Sequence, residues 1–346
     1  MKIICVADAY VTEKMMYEGV QPYLNEQDEL KVFFFGEQDR RSMRETVKAI
    51  EAMKRDELTI PEALYAEIEN ADVLLVHLCP VTRRLLKNAN QLKAVLSCRG
   101  GYENIDVEAA TEKNIIVATD PAHNANAVAE FTVGLIICET RNIARADASL
   151  KAGVWREEYP NTQSSIKEIK DMTVGLIGLG SVGRLVAEKL SAFRCEILVY
   201  SPHISESAYD FINYKFVDLN TLLKKSDVVT LHTRSKVPIL TDREFDIMKP
   251  TAYLINTARS VLVEQNALYR ALKEKKIIGA AIDVFESEPV IPDFYREFDN
   301  VTLTNHRGGD TINSYKDAPG FALSNYMNYL NGERMRFWIN KDHTSM

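Results

Sequence analysis

Three sets of residues in this chain have the types and spacing to do chemistry. The first is a glycine set. Gly178, Gly180 and Gly183 follow the pattern G-x-G-x-x-G within MTVGLIGLGSVGRLVAEKLSAFRCEILVYS, Met172 to Ser201. Thr173 to Ile177 is a short apolar run suited to a buried parallel strand. Leu185, Val186, Leu190 and Phe193 recur at helical spacing, and Ile197 to Tyr200 is a second apolar run. In that setting Gly178 permits a tight turn, Gly180 lets backbone approach a pyrophosphate, and Gly183 lets the helix pack close to the strand. The free N–H groups and positive dipole end of the helix would then face the phosphates.

The second and third sets gather where other apolar runs end. Arg259 closes AYLINTARS. Asp283 closes GAAIDV, with Glu286 and Glu288 just after, and His306 closes VTLTNH. Ligands of open α/β sheets bind outside the carboxyl ends of the strands. A guanidinium there would clamp a carboxylate with its two-pronged donor face. An imidazole would give or take a hydroxyl proton, with one of the carboxylates beside it. One arginine, one or two carboxylates and one histidine beside a dinucleotide turn suggest hydride transfer to or from a carboxylate-bearing substrate. His77, His123, His203, His232 and His343 show no metal-ligand spacing, so no metal site is expected. There is no G-x-S-x-G and no Walker-type G-K-S/T turn.

The elements that must position these residues alternate between strand and helix. Strands are expected at Ile3 to Ala7, Lys31 to Phe35, Asp72 to Leu78 and Leu92 to Ser97, with helices at Arg40 to Arg55 and Pro61 to Ile68. This first part has no nucleotide glycine motif of its own. Ala125 to Leu150 reads as one long helix, apolar almost all round in its front half, which must be covered by another domain or another subunit. After the glycine turn the rhythm continues with strands at Asp227 to His232, Ala252 to Asn256, Gly279 to Val284 and Val301 to Thr304, and a helix at Asn266 to Glu274. Ser314 to Trp338 reads as a closing helix that packs back on the first domain. Such alternation implies parallel sheets.

Composition narrows the class. The 346 residues suggest about two domains. A hydrophobic share of 46% is ordinary for a globular core, and a net charge of −7 speaks against a nucleic-acid or membrane surface. The five cysteines lie far apart, form no C-x-x-C pair and are odd in number, which fits free thiols in a reducing compartment. No apolar run reaches signal-peptide or membrane-spanning length, so a cytoplasmic protein is expected.

With GLIGLGSVG, INTARS, GAAIDVFESEP and TNHRGG in that order and spacing, together with RGGYENIDV and HNANAVAEFT, the sequence resembles the D-isomer-specific 2-hydroxyacid dehydrogenase family. The resemblance implies an α/β protein of two doubly wound parallel-sheet domains. A Rossmann NAD(P)-binding domain would span 124–309, and a flavodoxin-like substrate domain, discontinuous, would span 1–123 and 310–346. It implies that Arg259 binds the substrate carboxylate and carbonyl, that His306 is the catalytic histidine and that Glu288, not Glu286, is its partner. Gly100 and Gly101 match the loop that receives the substrate carboxylate. Ser181 and Val182 match the phosphate-contacting pair in the glycine turn. Thr257, Ala258 and Asp283 match cofactor contacts, Asp283 holding the nicotinamide amide, and His232 and Ser201 are placed with them. A homodimer built around the helix from Ala125 is also implied.

The chain departs from the family pattern at Ser201, where Asp is usual, at Ser260, at Asn305 and Arg307 flanking the histidine, and in a short loop after His232. Serine has no charge to repel a 2′-phosphate. Yet Pro202 to Asp210 holds no arginine, only Glu206, Asp210 and His203, unless Arg184 or Arg234 reaches across from neighbouring loops. Either NAD or NADP is therefore expected, NAD slightly favoured. The expected activity is NAD(P)-dependent interconversion of a small 2-keto acid and its D-2-hydroxy acid. The alternative is a catalytically idle dinucleotide-sensing module of the corepressor type. Against it, the chain lacks long polar tails.

Overall fold

A computed structural model describes residues 1–159, 166–202 and 214–344. His203, Glu206 and Asp210, named above for cofactor choice, lie outside them. The chain divides into two compact units, Met1–Asn124 with Thr311–Met346, and Ala125–Asp310.

The first unit is a five-stranded, wholly parallel sheet built from β1 (Lys2–Ala7), β2 (Glu29–Phe34), β3 (Val73–Val76), β4 (Ala94–Ser97) and β5 (Ile116–Ala118) in the order β2-β1-β3-β4-β5. That is the flavodoxin-like doubly wound order. The continuous apolar runs of β1, β3 and β4 are fully buried, because helices cover both faces of such a sheet. The closing helix, Ile312–Leu330, packs in this unit against the helix Glu13–Val20, with backbone of Gly19 and Gly320 in close approach. It ends at Leu330 rather than at Trp338. Trp338 instead bridges to Ala118 at the sheet edge.

The second unit is a seven-stranded parallel sheet. It comprises β6 (Thr173–Ile177), β7 (Glu196–Tyr200), β8 (Lys215–Phe216), β9 (Val228–Leu231), β10 (Tyr253–Asn256), β11 (Gly279–Ile282) and β12 (Val301–Leu303). The order β12-β11-β10-β9-β6-β7-β8 reverses at β6, the Rossmann switch point. The two units share a device at the amino edge. Asp72 and Asp227 each directly precede a central strand. Asp72 Oδ2 accepts the Lys2 amide at 2.8 Å, and Asp227 Oδ2 accepts the Thr173 amide at 2.9 Å.

The single helix expected from Ala125 to Leu150 is two helices, Ala125–Thr140 and Ile143–Lys151. Asn142 takes a left-handed conformation (φ 57) between them, one that asparagine tolerates better than most residues. The apolar front helix is covered by its own unit. It packs on the helix Ser181–Ser191 and on β10, β11 and β12, and Phe131 and Ile137 join that core. Exposed apolar surface lies instead beyond the break, at Ile143, Leu150, Val154 and Trp155, the last 79% accessible. The helix after the glycine turn stops at Ser191, so Phe193 falls outside it. The charged helix expected over Arg40 to Arg55 covers only Arg44–Glu51. Among the described residues no helix is long and apolar enough to cross a membrane.

Candidate active site

At the carboxyl edge of the seven-stranded sheet, five neighbouring strands deliver the residues singled out in the sequence. β6 leads into the glycine turn, β9 into His232, β10 into Thr257–Arg259, β11 into Asp283 and β12 into His306.

The three glycines are required for different reasons. Gly178 has φ 104, and a Cβ there would lie 2.5 Å from the His232 carbonyl oxygen. A Cβ on Gly183 would lie 2.2 Å from the Gly178 carbonyl oxygen. Both are demanded by the fold itself. Gly180, the residue capping the helix Ser181–Ser191, has no neighbouring atom within 4 Å of such a Cβ. Its lack of a side chain is unused by the protein and leaves a cradle at a helix N-terminus, beside the amides of Ser181 and Val182. That arrangement fits a dinucleotide pyrophosphate. His232 lies against the same turn. Burial pushes its imidazole down to about 3, so it is neutral near pH 7. Its Nε2 lies 3.0 Å from Thr230 Oγ1, and its Nδ1 is buried with no partner among the described residues. A buried orphan of this kind asks for a ligand group. Ser201 directly follows β7, part-buried.

Arg259 is exposed on a turn pinned by a residue the sequence reading passed over. Asn256, buried at the end of β10, donates from Nδ2 to the Arg259 carbonyl at 2.9 Å and accepts the Ala258 amide at 3.1 Å. An asparagine closing a strand before T-A-R was the available signal, since this side chain readily forms such turns. Thr257 is held from behind by Thr132 of the front helix, their hydroxyls 2.7 Å apart.

His306 and Glu288 are brought together, with Nδ1 and Oε2 2.7 Å apart. The other oxygen of Glu288 accepts the Phe285 amide at 2.9 Å. Glu286 is exposed and is not the partner. The His306 backbone is left-handed (φ 55), a conformation that surrounding bonds must impose. Those bonds come from Asp283. Its backbone carbonyl accepts the His306 amide at 2.9 Å. Its buried carboxylate takes the Thr304 hydroxyl at 2.6 Å and the amides of Arg307 and Gly308 at 2.8 and 2.9 Å. Asp283 therefore fastens the turn that carries the histidine. Arg307 is engaged with Asp310 at 2.6 Å.

In the first unit, Gly100 and Gly101 lie on the bend after β4. Their amides find no acceptor among the described residues. The Gly101 carbonyl accepts the Ser97 hydroxyl at 3.1 Å.

Known proteins resemble this chain in sequence and in fold. The family described as D-isomer specific 2-hydroxyacid dehydrogenase, NAD binding domain, matches residues 133–308. A glyoxylate reductase of Thermofilum pendens is 38% identical over 287 residues, 81% of this chain and 85% of the relative. Among solved structures, the D-isomer specific 2-hydroxyacid dehydrogenase of Lactobacillus delbrueckii ssp. bulgaricus in its NAD-complexed form superposes with a TM-score of 0.77 at 22% identity, covering 98% of this chain and all of that one. An acyclic imino acid reductase in complex with NADPH and D-Arg gives 0.67 at 26% identity, covering 98% and 99%.

Proposed function

Because the chain belongs to the D-isomer-specific 2-hydroxyacid dehydrogenase family, we propose that the carboxyl edge of its seven-stranded sheet is a catalytic centre in which Arg259, Glu288 and His306 do the protein's share of the chemistry. The protein is an oxidoreductase that moves a hydride between a nicotinamide cofactor and a small 2-keto or D-2-hydroxy acid. The observation that carries the assignment of roles is the His306–Glu288 pair, 2.7 Å apart on a turn fastened to Asp283, with Arg259 on the neighbouring β10 end.

When bound, the nicotinamide supplies or takes the hydride. Arg259 clamps the substrate carboxylate and stabilises charge developing on the oxygen at C2. Glu288 engages Nδ1 of His306 and so fixes the ring and its tautomer. The remaining nitrogen, Nε2, gives a proton to the C2 oxygen in reduction and takes it back in oxidation. The free amides of Gly100 and Gly101 suit the loop that receives the substrate carboxylate. Gly178, Gly180, Gly183, Ser181, Val182, Ser201, His232, Thr257, Ala258 and Asp283 are the cofactor side of the site.

Cofactor choice is set weakly. Ser201 offers no charge against a 2′-phosphate, so NAD and NADP should differ in kcat/KM by about tenfold or less, NAD ahead, a gap of about 1.4 kcal/mol. Ser201→Asp should widen that gap in favour of NAD. The experiment is oxidation of NADH and of NADPH driven by a panel of 2-keto acids that includes glyoxylate. A strong NADP preference would contradict the cofactor reading. Tight cofactor binding with no turnover of any acid would favour the idle sensing module.

A homodimer is the assembly we favour, supported by the exposed Ile143, Leu150, Val154 and Trp155 around the helix Ile143–Lys151. Sedimentation at micromolar protein should give twice the chain mass, and a clean monomer would reject it. The five unpaired cysteines support a cytoplasmic setting.

A further inference from the structure

The geometry points to a second binding site in the seven-stranded unit, a cavity that takes a small organic cation with an apolar body.

The cavity, about 330 Å³, lies between the start of the helix Gln265–Lys273 and the segment that follows β11. That volume is at the small end of the range for ligand pockets, about 300–1,000 Å³. Asn256 and Phe285 line it. Asn256 fastens the Arg259 turn, and the Phe285 amide is held by Glu288. Arg259, Glu288 and His306 do not line it. A ligand here touches the residues that steady the catalytic loops and leaves the catalytic side chains free.

The walls set the body of the ligand. Val263, Leu268, Ile282 and Val284 are buried and, with the rings of Phe285 and Tyr295, give the cavity an apolar lining. The two rings meet edge to face, their centroids 5.9 Å apart. Tyr295 is only 7% exposed, yet its hydroxyl makes no hydrogen bond among the described residues. Nor is that oxygen among the polar atoms sealed from solvent. It therefore opens to the cavity that Tyr295 lines. Burial pushes the phenol up to about 12, so it stays uncharged near neutral pH and can both donate and accept.

The rim sets the charge of the head group. Glu264 and Glu286 line the cavity, and among the described residues no lysine, arginine or histidine does. Glu264 directly precedes the helix Gln265–Lys273, where a negative charge answers the positive dipole end. It also lies 3.9 Å from Arg270. Glu286 is exposed and has no ion pair or hydrogen bond among the described residues. A carboxylate would meet two groups of its own charge, so a keto acid or hydroxy acid does not suit this cavity. An ammonium brings the opposite charge and three donors, and both Glu286 and the Tyr295 oxygen can accept from it. The apolar walls take a ring or short hydrocarbon behind it.

The test measures the binding of benzylamine, benzyl alcohol and benzoate, three compounds of similar size, to the full chain by ligand-observed NMR at pH 7. Benzylamine should bind about threefold tighter than benzyl alcohol, the scale of an ion pair near the surface. Benzoate should bind more weakly than either. Glu286→Gln should remove the advantage of the amine. Tyr295→Phe should weaken the amine and the alcohol alike by about threefold, the scale of one hydrogen bond. Excess glyoxylate should not displace benzylamine. The wild-type comparison needs no variant to fold. Equal binding of the three, a preference for benzoate, or no binding of any would overturn the inference. So would an amine preference that survives Glu286→Gln, unchanged binding in Tyr295→Phe, or displacement by glyoxylate. All of these leave the reaction reading standing, since its failure shows in turnover instead.

Discussion

The two sheets are alike at one edge and different at the other. At the amino edge each sheet uses the same lock. An aspartate just before a central strand, Asp72 or Asp227, accepts the amide that opens the neighbouring strand and pairs with lysine, Lys93 at 2.8 Å in one sheet and Lys249 at 3.0 Å in the other. At the carboxyl edge the resemblance stops. The seven-stranded sheet presents a glycine turn, an arginine and a histidine–glutamate pair. The five-stranded sheet presents a bend of two glycines whose amides find no acceptor among the described residues. Parallel strands leave both edges with backbone to satisfy. Here the amino edge holds the fold, and the carboxyl edge is left for ligands.

The sharpest way to break that comparison is within the glycine turn. Gly183→Ala would drive a methyl group into the Gly178 carbonyl, and should cost about 3 kcal/mol or more in urea unfolding. Gly180→Ala meets nothing and has an ordinary φ of −74. It should keep wild-type stability and weaken cofactor binding by about tenfold or more, on the order of 1.4 kcal/mol. If Gly180→Ala destabilises as much as Gly183→Ala, the division between fold and ligand glycines is wrong.

A smaller effect is expected at the amino edge. Burial pushes the Asp227 carboxyl up, but the Thr173 amide and Lys249 and Lys167 more than offset this and hold it below its usual value. Asp227→Asn should therefore cost about 1.5–3 kcal/mol at neutral pH, the scale for hydrogen bonds to a charged group. A carboxylate depressed in the folded state stabilises fully above its unfolded pKa, and that contribution fades as pH falls through the folded value. The gap between wild type and Asp227→Asn should thus be constant near pH 7 and shrink below about pH 4. Asp72, also held low but more exposed, should show the same sign at about 1 kcal/mol. Unfolding titrations at several pH values measure both, and activity of the folded variants should change little if this edge serves the fold alone.

Much of this architecture was legible because buried parallel strands are continuous apolar runs. IICVA, DVLLV and DVVTL can hardly be anything else. The strands left unread, Ile116–Ala118 and Lys215–Phe216, are three- and two-residue strands at sheet ends, too short for any pattern to register. The break at Asn142 was hidden because the helical apolar pattern continues across it. Buried Glu139, paired with Arg145 and bonded to Thr302 at 2.6 Å, ties the end of the front helix to β12, and no local propensity reports such a tie. At the site, residue types at strand ends pointed to Arg259 and His306. Which glutamate meets the histidine followed from family resemblance rather than from spacing. The work of Asn256 and Asp283 in fastening turns is tertiary, and the left-handed backbone at His306 is visible only in three dimensions.

The claim that the carboxyl edge of the seven-stranded sheet is the catalytic one is tested most directly by kcat/KM for 2-keto acid reduction in His306→Ala, with cofactor binding measured on the same preparation. His306 touches no part of the glycine turn in this account, so cofactor affinity should hold. Loss of the proton donor should lower kcat/KM by about a hundredfold or more. A variant that binds cofactor normally and reduces keto acids within about threefold of wild type, well short of the usual scale for lost acid–base catalysis, would show that the proton comes from elsewhere and contradict the account.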